Sequence, residues 1–255
     1  MIISCNTNIN KVYYSGYTIS KIYACGGELV YSDDNCGYFI KVKYDNSTVQ
    51  YKECRNGDTV INSNDILFNG ARNYNEIWFR DCADCGITPT GIGGSIFANG
   101  EYLKKANLCS SIVSIGSCGF EKSVLEEINL ENVTNIGAFA FKECSGLTSV
   151  NLQSIDGISR NAFQKCSGLL NVTIGSDIRY IYSQSFMDCS SLQYIRIEAT
   201  TPPQLRKYSD AQTPEQKDWF TNTNDCPIYV PSQSVNAYKS ASEWTRYASR
   251  IQAIP

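Results

Sequence analysis

The chain contains no histidine among its 255 residues. That absence removes the commonest general base, the Ser–His–Asp and Cys–His arrangements, and every histidine-containing metal site. No glycine-rich phosphate loop follows a strand pattern, and Asp33, Asp34 and Asp45 are turn residues without EF-hand spacing. A glycosidase dyad from Glu126 and Glu127 needs both carboxylates on one face, whereas adjacent strand residues point to opposite faces. No catalytic residue, cofactor or metal ion is expected. Charge is equally sparse: 22 basic residues stand against 25 acidic ones, a net charge of −3. Beyond the pair Lys104-Lys105 there is no basic run, which argues against nucleic acid as a partner. No apolar stretch approaches the ~20 residues of a membrane-spanning helix, so no membrane insertion is expected. The opening Met1 to Asn6 lacks the basic start and apolar core of a signal peptide, a start that a mature secreted chain given a new methionine would share.

What the chain has is a repeat. From Ile115 to Ile197 four units each run from an isoleucine through a phenylalanine and a leucine to an apolar–polar–apolar ending. The second unit runs from Ile136 through Phe141, Cys144 and Leu147 to Val150 and Leu152. The third and fourth units place Phe163, Cys166, Leu169, Val172 and Ile174, then Phe186, Cys189, Leu192, Ile195 and Ile197, in the same columns. The first has Phe120, Leu125, Ile128 and Leu130, is one residue short, and puts Ser123 in the cysteine column. Upstream, Ile92, Phe97, Leu103, Ala106 and Leu108 continue the period, and Phe68, Tyr74, Ile77 and Phe79 carry it further in degraded form. A fixed period of roughly 20–30 residues marks a solenoid, in which one unit cannot bury its apolar face without stacked neighbours. The unit endings read as short strands with one face inward, and Gly116, Gly137, Ala138, Ala162 and Ser185 as small residues permitting tight turns.

The pattern Ile-Gly-x-x-Ala-Phe-x-x-Cys-x-x-Leu-x-x-Val-x-Leu resembles the BspA-type leucine-rich repeat, most specifically in units two and three. The resemblance implies a mainly-β solenoid of about six coils and a role in display and binding, as on surface proteins of gut and oral anaerobes and in proteins of their phages. Residues 61–198 are assigned to this solenoid. Residues 199–255 are assigned to a loop and a short helical C-terminal cap: Pro202 and Pro203 are expected to stop strand pairing, and a polar loop to run to about Asn224. Ile228 to Val230 reads as a strand, with Val235, Tyr238, Trp244, Tyr247 and Ile251 on the inner side of one or two short helices. This ending also resembles that of many BspA-type arrays.

Residues 1–60 read as a separate small β module for attachment and oligomerisation. They carry a ten-residue repeat, Ile9-Asn10-Lys11-Val12-Tyr13 against Ile19-Ser20-Lys21-Ile22-Tyr23, with Gly16 matching Gly26. These units resemble Lys-Val-Tyr-x-Gly modules of bacteriophage virion proteins, which implies Tyr13, Tyr14, Tyr23 and Tyr31 as virion-attachment residues. Residues 38–44 and 48–53 alternate around Asp45-Asn46-Ser47, a hairpin signal.

Twelve cysteines are the one abundance that invites a different reading, a secreted disulfide scaffold. Three of them share one apolar repeat column, where neighbouring side chains in a ladder point the same way rather than at each other. Buried free thiols are therefore expected at Cys144, Cys166 and Cys189. Cys82 and Cys85 form an isolated Cys-x-x-Cys: a structural zinc needs two more thiolates, with Cys109 and Cys118 as candidates, while an ordinary turn with packed or bonded thiols is the simpler reading.

The functional expectation falls on the outward strand positions. Trp78, Asn107, Asn129, Asn151, Thr173 and Arg196 form one column, and Lys105, Asn171 and Tyr194 belong to the next, with Glu76, Glu127 and Ser149. Such a face suits a glycan or protein partner, and the same positions also fit plainly solvated strands. The leading expectation is a non-enzymatic phage virion protein, oligomeric with other virion proteins and binding host-surface glycan or protein. The alternative is a bacterial cell-surface adhesin.

Overall fold

A computed structural model describes residues 90–255 apart from Tyr102, 209–212 and 214–217, together with the backbone of six strands nearer the N-terminus. Those six are β1 (Val12–Tyr14), β2 (Tyr17–Ile19), β3 (Tyr38–Tyr44), β4 (Val49–Cys54), β5 (Val60–Ile61) and β6 (Tyr74–Phe79). The array continues through β7 (Gly91–Ile92), β8 (Lys105–Asn107), β9 (Ser114–Ile115), β10 (Glu127–Ile128), β11 (Asn135–Ile136), β12 (Ser149–Leu152) and β13 (Gly157–Ile158). It ends with β14 (Asn171–Ile174), β15 (Tyr180–Tyr182), β16 (Tyr194–Ile197), β17 (Gln204–Arg206), β18 (Ile228–Val230), helix α1 (Val235–Ser240), a 3-10 turn (Trp244–Tyr247) and β19 (Ile251–Ala253).

Each coil gives one strand to each of two walls. The first wall is a seven-stranded parallel sheet, β17-β15-β13-β11-β9-β7-β5. Its register aligns Ile61, Ile92, Ile115, Ile136, Ile158, Ile181 and Leu205. The side chains from Ile92 to Ile181 in this row are at most 2% exposed. The second wall carries the unit endings in two five-stranded sheets, β10-β8-β6-β3-β4 and β12-β14-β16-β18-β19. Between the walls Phe97, Phe120, Phe141, Phe163, Phe186 and Phe220 stack with centroid spacings of 4.9, 5.4, 5.1, 5.5 and 6.0 Å. Near-parallel stacked rings each add about 0.5–1.5 kcal/mol beyond their burial.

The cysteine column is free and buried, as its side-chain chemistry dictates. Cys144, Cys166 and Cys189 each donate Sγ–H to a carbonyl of the preceding coil, at Phe120, Phe141 and Phe163, all at 3.0 Å. Ser123 fills the first place in that column, 3.4 Å from Cys144 Sγ. A thiolate cannot make this bond and is poorly solvated there, so burial pushes the Cys144 thiol up to about 11 from 9.0. Its proton therefore stabilises the fold fully below pH 9, and that contribution is lost as pH rises from 9 to 11. At about 1.4 kcal/mol per unit the loss is on the order of 2–3 kcal/mol. Denaturant titrations at pH 8 and pH 11 should show wild type losing that much more than Cys144→Ala; equal losses would remove the thiol from the account.

Three expectations are corrected. The prolines do not end the array: β17 pairs with β15 in parallel directly after Pro203, because Leu205 extends the buried isoleucine row and the residues after a proline keep their N–H groups. The stretch before Asn224 is not all surface loop. Trp219 and Phe220 are buried, and Phe220 stacks on Phe186, with 15 residues from Leu205 to Phe220 against 5 from Ile181 to Phe186. A coil with an insertion is present, and β18 joins β16 in register. Ile251 lies on strand β19, parallel to β18, rather than on a helix.

The turns also work differently from expectation. Left-handed residues fall two before and two after each stacked phenylalanine from Phe97 to Phe186: Ser95 and Asn99, Cys118 and Lys122, Phe139 and Glu143, Asn161 and Lys165, Gln184 and Asp188. None is glycine. The glycines serve coil-to-coil approach instead: a Cβ on Gly137 would lie 2.5 Å from the Ser117 backbone nitrogen, and one on Gly116 would lie 2.6 Å from that of Gly94.

Candidate functional site

The outward strand positions form the columns that alternation requires, but the face divides in two. In the first half, register places Trp78 between Lys41 and Asn107, and Lys105 between Glu76 and Glu127. Lys105 pairs with Glu127 at 2.6 Å and Lys104 with Glu126 at 3.0 Å. These are exposed ion pairs, worth about 0–1 kcal/mol, and they occupy both carboxylates weighed as a dyad.

Asn129 marks the division. Its side-chain Oδ1 accepts from Leu108 N at 2.7 Å, and its Nδ2 donates to Leu108 O at 2.9 Å. The amide therefore stands in for a strand backbone where the shortened first unit lets the sheet lapse, between β10 and β12. Asn129 is thus engaged within the array.

The second half is continuous. Asn151, Thr173, Arg196, Tyr229 and Gln252 align along one column, and Ser149, Asn171 and Tyr194 along its neighbour. Tyr194 and Tyr229 face each other with ring centroids 6.0 Å apart and planes tilted by 53°. Arg196 Nε donates to Glu198 Oε1 at 3.1 Å, which fixes the guanidinium and cancels its charge locally. Asn171 Oδ1 is buried with no hydrogen-bond partner among the described residues. An unpaired buried acceptor costs about 1–3 kcal/mol.

Of the nine proposed face residues, five (Asn151, Asn171, Thr173, Tyr194 and Arg196) meet on this half-sheet. Lys105 and Asn107 lie on the charged half, and only the strand backbone of Trp78 is described. Tyr229, Gln252 and Glu198 were not anticipated. The signal for Tyr229 was Ile228-Tyr229-Val230, which repeats the apolar–outward–apolar alternation of Ile195-Arg196-Ile197. Tyr13 and Tyr14 lie on β1, paired antiparallel with β2, while Tyr23 and Tyr31 lie outside the described residues. So do Cys82 and Cys85. Cys118 is half-buried and its thiol is pushed up by desolvation and by Glu121, while Cys109 Sγ lies 3.3 Å from Ser111 Oγ. Among the described residues no group of three or more ligating side chains could hold a metal, and no helix is long and apolar enough to cross a membrane.

Residues 88–207 match the BspA type leucine rich repeat region in six copies. Over that stretch the parallel solenoid is similar to leucine-rich-repeat arrays of the BspA type. Among solved structures the chain is similar to the pneumococcal vaccine antigen PcpA, at 19% identity and a TM-score of 0.49, over 70% of this chain and 40% of that one. It is also similar to the leucine rich repeat protein of T. pallidum, at 18% identity and a TM-score of 0.46, over 74% of this chain and 98% of that one. A leucine rich cell surface protein from Faecalibacterium prausnitzii matches at 16% identity and a TM-score of 0.25, over 69% and 63%. The chain thus spans less than half the length of the pneumococcal antigen. No curated protein matches it.

Proposed function

We propose that the chain is a non-enzymatic, surface-binding protein of the adhesin type, whose partner docks on the half-sheet β12–β19. One observation carries the reading: the registered patch of Asn151, Asn171, Thr173, Tyr194, Arg196 and Tyr229 on a continuous parallel sheet. It is polar, charge-balanced and aromatic, with rigid side-chain spacing set by strands about 4.8 Å apart. Such a face matches glycan or glycoprotein surfaces better than it matches nucleic acid or lipid. The BspA-type match favours placement at a bacterial cell surface.

Placement on a virus particle rests on the ten-residue repeat, of which Val12–Tyr14 and Tyr17–Ile19 form a hairpin. Attachment through Tyr13, Tyr14, Tyr23 and Tyr31 in an oligomer belongs to that placement. It changes what the array is mounted on, not what the face does. Surface labelling of producing cells against co-sedimentation with particles decides between the two.

The face itself is tested on a printed array of surface glycans and matrix glycoproteins. Tyr194→Ala with Tyr229→Ala should weaken binding at least ~30-fold, as expected for a central aromatic anchor worth about 2 kcal/mol or more. Lys105→Ala, on the charged half, should leave binding within about threefold. The reverse ranking would move the site off this half-sheet.

A further inference from the structure

The C-terminal column of the strand face ends at Gln252, and Gln252 also forms one wall of an open recess of about 560 Å³. That volume lies within the roughly 300–1,000 Å³ of small-molecule sites. Its floor is set by Phe220 and Tyr247, packed edge to face at 5.0 Å, and its walls are polar.

Arg250 is held rigidly there. Its guanidinium lies over the rings of Phe220 and Tyr247 at 5.9 and 5.7 Å, Nε donates to Cys226 O at 2.9 Å, and Nη2 donates to Thr223 Oγ1 at 2.9 Å. Nη1 keeps its two N–H groups outside this set of bonds. Opposite charge is present in equal number: Asp218 accepts from Tyr247 Oη at 2.7 Å and lies 3.4 Å from Arg246, while Asp225 also lines the recess. The side chains of Asp225, Ser249 and Gln252 make no hydrogen bond among the described residues.

We propose that this recess is a second binding site, taking a neutral, hydroxyl-rich ligand, namely a saccharide residue without carboxylate or amine. Two guanidinium groups disfavour a metal or ammonium ion, and two carboxylates disfavour an acid of single charge. Vicinal hydroxyls accept from Arg250 Nη1 while donating to Asp225, and use both halves of the lining at once. Gln252 ends the strand-face column, so the recess adjoins that face, but its lining shares neither Tyr194 nor Tyr229. The site goes beyond the surface-binding reading and stands or falls separately from it.

The test is titration of the full chain with free neutral oligosaccharides of glucose, galactose and N-acetylglucosamine, alongside glucuronate and glucosamine, followed by saturation-transfer NMR. Expected is saturable binding of at least one neutral sugar, with the charged sugars at least tenfold weaker. Ser249→Tyr, which fills the recess, should abolish it, and Tyr194→Ala should leave it within threefold. If Ser249→Tyr lowers the melting temperature, the pair Asp225→Ala and Gln252→Ala takes its place and should weaken binding at least tenfold. No saturable binding, charged sugars binding as tightly, or indifference to the recess variants overturns the proposal. Loss through Tyr194→Ala alone would assign the sugar to the strand face and likewise overturn it.

Discussion

Phe163→Ala is expected to cost about 3–5 kcal/mol and to split a single unfolding transition into two. Phe163 is fully buried, stacks on Phe141 at 5.1 Å and on Phe186 at 5.5 Å, and its carbonyl takes the Cys189 thiol. Truncation removes two stacked pairs at once and leaves a cavity that rigid neighbouring coils cannot collapse into. In a stack where each coil contacts only its neighbours, cooperativity passes through the interfaces on either side. Weakening two adjacent interfaces in the middle uncouples the coils before residue 158 from those after it. Calorimetry or denaturant unfolding followed by hydrogen exchange reads this directly. A single transition, shifted but equally steep, would show that cooperativity runs through the walls instead of the phenylalanine ladder.

That ladder was legible because its chemistry is monotonous. Phe, Cys, Leu and the terminal apolar pair recur at fixed spacing, and burial of each column follows from one-dimensional pattern alone. The outward columns were legible for the same reason, since strand alternation leaves no other place for Asn151, Thr173 and Arg196. The pattern failed where side chains substitute for backbone or where the period is interrupted. Asn129 looks like its column neighbours, yet its amide bonds both polar groups of Leu108, a role set by the one-residue shortening of its unit. The last coil hides behind an insertion after Arg206; only Phe220, Ile228 and Val230 keep the spacing that Phe120, Ile128 and Leu130 show in the first unit. The left-handed turns were invisible because non-glycine residues such as Phe139, Gln184 and Lys165 hold them. Tertiary hydrogen bonds between coils, such as Phe141 N to Ala162 O at 2.8 Å, outweigh the local preference.

Trp244→Ala should cost a comparable ~3–5 kcal/mol but express it differently, as fraying from the C-terminus rather than a split. Trp244 closes the end of the ladder: its ring lies 6.1 Å from Phe220 and meets Tyr238 edge to face at 5.1 Å, and Nε1 donates to Pro203 O at 2.8 Å. Removing it opens the last coil to water and leaves the Pro203 carbonyl without its donor. A terminal coil has one inner neighbour, so the loss is confined to the interface between β16 and β18 and whatever leans on it. Native-state hydrogen exchange should show Ile228 and the other amides of β18 losing protection, while Val172 and Ile174 on β14 keep theirs. Uniform loss of protection from β12 through β18 would mean that the array unfolds as one unit and that the cap sets its overall stability. The same variant bears on binding. Tyr229 and Gln252 hang from β18 and β19, so fraying should weaken the C-terminal end of the strand face and the recess beside it while Asn151 and Thr173 remain in place. The cap is thus the element through which stability and the display of the proposed binding face are coupled in this chain.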